Sequence, residues 1–157
     1  MTEKDGLTVH AATAMRVSPN FALAAVDTIL KELSCHTGHT SLALDVRQLR
    51  APFEATISVP VEAHVDDGPT RQEWRLRIQA ATNLNVYPRF EGVLRLTPAS
   101  VSASELELDG RYIVPFGALG RTIDSTLLRG AAQSSLQRFV RDIATRVAAL
   151  SRWTNCL

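Results

Sequence analysis

The chain is 157 residues long, 45% hydrophobic and 21% charged, with a formal net charge of +1. That length suits one domain with a real core, and the composition is that of an ordinary globular protein. The balanced charge gives no concentrated basic surface for nucleic acid, no run approaches the ~18–20 apolar residues of a membrane span, and the 2 cysteines, Cys35 and Cys156, do not make a disulfide framework.

The opening MTEKDGLTVH carries charges but no apolar stretch of the kind a secretory signal needs. The expectation is a cytoplasmic protein with free thiols, one domain over residues 1–157. Loose alternation of Leu7, Val9, Ala11, Met15 and Val17 predicts a first strand. Ser18 is a good N-cap and Pro19 a good first helical residue, because a proline there lacks only an N–H that would be unpaired anyway. Phe21, Ala25, Ile29 and Leu33 then recur every fourth residue, which predicts an amphipathic helix ending near Gly38.

The middle of the chain reads as strands. SLALDV places Leu42, Leu44 and Val46 on one side, and EATISVPVEAHV alternates Ala55, Ile57, Val59, Val61, Ala63 and Val65 against polar residues and Pro60. QEWRLRIQA does the same with Trp74, Leu76, Ile78 and Ala80, RFEGVLRL with Phe90, Gly92, Leu94 and Leu96, and ELELDGRYIV with Leu106, Leu108, Gly110, Tyr112 and Val114. Side chains in a strand point alternately to opposite faces, so each strand has one dry and one wet face, as in an antiparallel sheet covered on one side. DDGPT (66–70) and TPAS (97–100) are expected turns. Pro60 has no N–H for a ladder, which points to an edge strand or a bulge. The wet face interleaves Arg75, Arg77, Arg89, Arg95 and Arg111 with Glu73, Glu91, Glu105, Glu107 and Asp109, a pattern that cancels a phosphate-binding field.

A long helical run follows Gly117. Leu136, Phe139, Val140, Ile143, Val147 and Leu150 share about one quadrant of a helix over 131–151, with Arg138, Arg141 and Arg152 opposite. Leu119, Ile123 and Leu127 form an earlier stripe roughly 150° away. The reading is a break or bend near Gly130, a first stretch leaning on another surface, or a glycine that merely admits a bulky neighbour.

No catalytic motif emerges. Cys35, His36 and His39 in CHTGH are soft or borderline ligands, but a structural zinc site needs a fourth partner and none is spaced for it. Adjacent Cys35 and His36 are badly placed to act as nucleophile and base on one substrate. Every acid of the middle strands points outward, Asp124 reads as a first-turn helix charge, and the polar atoms expected inside are the Tyr112 hydroxyl, the Trp74 indole N–H and Thr13. Neither metal nor cofactor is called for. His10 and His64 are outward-facing strand positions.

From Tyr87 to Leu150, YPRFEGVLRLTP and ELDGRYIVPFGALGRTIDSTLLRGAAQSSLQRFVRDIATRV resemble bacterial START-like proteins of the SRPBCC type, the polyketide cyclase/dehydrase-like branch. The shared points are Gly110 and Tyr112, Pro115 and Gly117, Leu119-Gly120, Asp124 and the arginine-rich amphipathic helix. The resemblance implies an α+β helix-grip fold, in which a curved antiparallel sheet wraps a long C-terminal helix over a hydrophobic cavity. It also implies a lipid- or polyketide-like ligand. The residues expected to line the cavity are Trp74, Leu76, Ile78, Phe90, Leu94 and Tyr112 from the sheet and Ile123, Leu127, Leu136 and Phe139 from the helical run. Gly92 and Gly110, facing inward, leave room there or let the sheet bend. Three readings stay open: a binding module for a hydrophobic small molecule, a cyclase/dehydrase-like enzyme that works by enclosure, and a filled core acting through its surface or as a homo-oligomer.

Overall fold

Strand β1 (Gly6–Met15) leads through Val17 and Ser18 into helix α1 (Pro19–Cys35). Strands β2 (Thr40–Leu44), β3 (Ile57–Asp67), β4 (Glu73–Ala80), β5 (Arg89–Ser100) and β6 (Ala103–Ile113) follow, and helix α2 (Ser125–Asn155) closes the chain. These elements come from a computed structural model that describes residues 6–35, 40–44, 57–80, 89–113 and 125–156. The six strands form one sheet in the order β1-β6-β5-β4-β3-β2, every neighbouring pair antiparallel. With two helices against its inner face, this is the α+β helix-grip architecture the sequence implies.

The register explains why the alternation was so regular. Leu7, Tyr112, Phe90 and Ile78 lie in one cross-strand row, and Val9, Gly110, Gly92 and Leu76 in the next. Ala11, Leu108, Leu94 and Trp74 make a third, and Thr13, Leu106 and Leu96 a fourth. Most of these inward residues are buried in a single apolar cluster with α1 and α2. On the outer face the charges pair across strands: Arg95 Nε lies 2.8 Å from Glu73, and Arg77 and Arg89 flank Glu91. Such exposed pairs add little stability each, but they occupy the guanidinium groups.

Two expected boundaries move. TPAS is not a turn: β5 continues to Ser100 and the reversal falls on Val101-Ser102, with a register irregularity between Pro98 and Ser100. β3 is not an edge strand either, because β2 pairs outside it and Pro60 stands opposite Ser41.

Helix α1 begins where its signals place it, with the Ala22 N–H donating to the Ser18 carbonyl at 2.9 Å. Its buried face is Ala22, Ala25, Val26, Ile29 and Leu30, so the expected stripe is rotated and Phe21 and Leu33 lie at its margin. Helix α2 runs unbroken through Gly130, so the chain does not leave the helix there. Leu136, Val140, Ile143 and Val147 are buried as expected, together with Ala132, Ser135 and Ala144.

Helix α2 also runs along the β1 edge of the sheet. Gln133 accepts from the His10 N–H at 3.4 Å and donates to the His10 carbonyl, and Gln137 donates to the Ala12 carbonyl at 2.8 Å. These side-chain amides satisfy three of the backbone groups that an edge strand would otherwise present to another chain. The two contacts also fix the level of the helix. Four helical residues rise about as far as two strand residues, so Ser135 stands level with Ala11 and the end of β1 with about residue 143. Leu150 lies past that end and is 43% exposed, a departure from its expected place in the buried stripe.

Candidate functional site

The sheet's alternation puts Trp74, Leu76, Ile78, Phe90, Leu94 and Tyr112 on the inner face, and α2 brings Leu136 against it; all seven are buried in the one cluster. Phe139 is half-buried at its margin. Ile123 lies outside the described residues, as does the side chain of Leu127 in the first turns of α2. The expected lining from the sheet is therefore brought together, and the helical half is represented by Leu136 and Phe139.

The two glycines do not leave empty room. Gly92 and Gly110 stand opposite each other in β5 and β6. A Cβ built on either would come within 2.5 Å of Phe90 Cζ, so the Phe90 ring lies across both positions. The same Cβ atoms would lie 2.4 Å from the carbonyl oxygens of Asp109 and Glu91 respectively, which reflects a tight bend of the two strands. The missing side chains serve the ring and the bend.

The polar ends inside the sheet differ in kind. The Trp74 indole N–H donates to Asp27 Oδ1 of α1 at 3.2 Å, and Lys31, one turn on, holds the other carboxylate oxygen at 2.6 Å. The Lys31 hydrogen bond first, and then that of Trp74, hold the Asp27 carboxyl below its ordinary value against the opposing effect of partial burial. Sequence reasoning missed Asp27; the available signal was an Asp and a Lys four apart on α1 plus a buried indole in need of an acceptor. For Tyr112, burial pushes the phenol well above the ordinary value, desolvation being the cause.

An opening of about 550 Å³ lies between α1 and the β3–β4 turn, with Trp74, Asp27, Lys31, Asp67, Arg71 and Glu73 among its walls. Its walls mix charged groups with Leu23, Ala24 and Pro69, and it lies on the α1 side, distinct from the apolar space expected under α2. Asp67, expected in the DDGPT turn, is instead the last residue of β3, level with Trp74 and exposed at this opening. His10 is exposed and pairs with Asp109 at 2.5 Å, and His64 is exposed, as outward strand positions should be. His36 and His39 lie outside the described residues, and among the described ones no group of three His, Cys, Asp or Glu side chains is placed to hold a metal. No helix among them is long and apolar enough to cross a membrane.

No family model matches the chain, and no curated protein matches it significantly. Solved structures do resemble it. A conserved protein from Geobacillus kaustophilus is similar with a TM-score of 0.63 at 14% identity, over 91% of this chain and 96% of that one. The Zhui aromatase/cyclase from Streptomyces gives 0.59 at 9% identity over 94% of each chain. A START superfamily protein from Mycobacterium smegmatis gives 0.52 at 11% identity, over 91% of this chain and 98% of that one. Strand order, the edge-on C-terminal helix and these likenesses agree: the chain has the START/SRPBCC helix-grip fold.

Proposed function

We propose that the chain binds an apolar or amphipathic small molecule, of lipid or polyketide type, against the inner face of the sheet beside α2. The observation that carries the reading is Tyr112, a phenol on the inner face, 3% exposed and desolvated among apolar side chains. Its row, with Phe90 and Ile78, and the row of Leu94 and Trp74 that lies level with Leu136 give a ligand a mainly apolar bed with a hydroxyl at one end, the usual make-up of a small-molecule site. Phe139, Leu76, Ile123 and Leu127 belong to the same proposed lining.

A dye-displacement titration tests this. Anilinonaphthalene sulfonate should bind once per chain and be displaced by a medium-chain fatty acid or a fused-ring aromatic. Leu136→Trp should weaken both. Absence of saturable dye binding contradicts the proposal and leaves the filled-core reading, which the Phe90 ring lying over Gly92 and Gly110 favours. Because the Zhui protein is an aromatase/cyclase, the same preparation should be offered a poly-β-keto substrate. Turnover lost in Tyr112→Phe would extend binding to catalysis by enclosure.

A further inference from the structure

Ser135 sits on α2 at 7% exposure, and its Oγ is buried with no hydrogen-bond partner. A hydroxyl taken out of water without a new partner is a standing cost, and native interiors hold few of them. A helical Ser or Thr can satisfy itself by bonding the carbonyl one turn back. Thr28, Thr145 and Thr154 do this here, at 3.0, 2.9 and 3.0 Å from Ala24, Arg141 and Leu150. Buried Ser104 likewise donates to the Val17 carbonyl at 2.8 Å. Ser135 does neither.

Its direction is set by the helix. Gln133 and Gln137 face the outer edge of β1, and Ser135 projects about 160° around the axis from either. It therefore turns away from that edge, within about 40° of Phe139 and 20° of Arg146, which pairs with Glu32 of α1. Along the axis it is level with the Ala11–Leu108–Leu94–Trp74 row.

We propose that Ser135 is the polar anchor of the ligand site, donating to a carbonyl or accepting from a hydroxyl on an otherwise apolar molecule. The site then prefers an oxygen-bearing ligand over a hydrocarbon of the same shape. This rests on the binding reading above and specifies its ligand class.

Fluorenone and fluorene, near-isosteres that differ by one carbonyl oxygen, test the idea by equilibrium dialysis. Wild type should bind fluorenone about five- to tenfold more tightly, the range of one buried hydrogen bond. Ser135→Ala should bind both alike, with fluorene affinity unchanged and Tm equal to or above that of wild type. Equal binding of the two by wild type, or a preference that survives in Ser135→Ala, overturns the anchor while the binding reading stands. A lower Tm in Ser135→Ala with the preference intact assigns the hydroxyl to a structural water and also overturns it. Binding of neither molecule, with no dye binding, removes both readings together.

Discussion

Gly92→Ala probes the tightest point of the sheet. The new Cβ would lie 2.4 Å from the Asp109 carbonyl oxygen, 2.5 Å from Phe90 Cζ and 2.9 Å from Gly110 Cα. The ring can rotate away, since Cζ is the far end of a side chain; the carbonyl belongs to the paired strand and cannot. Overpacking of a filled core costs about 1–3 kcal/mol, and forcing β5 and β6 apart puts this variant at the upper end, about 3 kcal/mol. For a chain of this size that is a fall in Tm of roughly 6–12 °C, read by circular dichroism and by urea unfolding. Phe90→Leu should relieve the ring contact alone. The double variant Gly92→Ala/Phe90→Leu should then be less destabilised than the sum of its parts, while keeping most of the carbonyl clash. A loss below about 0.5 kcal/mol in Gly92→Ala, within the range of an ordinary surface change, would refute the packing described for this bend.

Three further outcomes follow from other contacts. Gln133→Ala/Gln137→Ala strips the cover from the β1 edge and should cost about 1–3 kcal/mol; light scattering should show concentration-dependent association that wild type lacks. In a Trp153→Phe background Trp74 is the remaining indole, and Asp27→Ala should shift its emission while Asp27→Asn, which keeps an acceptor, should not. Because the Asp27 carboxyl is held below its ordinary value, its contribution is present above about pH 4 and is lost as pH falls through the lower folded-state value. The same emission should follow that loss. Tyr112 has the opposite sign: its raised pKa contributes stability fully present below about pH 10 and lost as pH rises beyond it. Tyr112→Phe should therefore flatten the alkaline arm of the stability profile.

The sheet was legible because each strand has one wet face. Trp74, Leu76 and Ile78, or Leu106, Leu108 and Tyr112, announce their burial by a period of two, and the structure buries them all. The signal fades where both faces are wet: residues 97–102 are exposed throughout, so the strand end at Ser100 left no mark and Pro98 suggested a turn that comes later. Leu150 fits the helical stripe perfectly in one dimension, but α2 outruns the sheet. The role of Gly92 and Gly110 depends on their being opposite each other beneath one ring, which periodicity does not encode. Gln133 and Gln137 are polar residues whose partners stand more than a hundred positions away, and Ser135 is conspicuous only for a bond it fails to make.

The central claim is that the inner face holds a small apolar molecule, and native mass spectrometry of protein purified from its source tests it most directly. The account predicts a second charge-state series, heavier by the mass of one lipid- or polyketide-like molecule per chain, that collapses to the bare chain after extraction with organic solvent. A single series at the bare mass, unchanged after incubation with fatty acids and fused-ring aromatics, would contradict it.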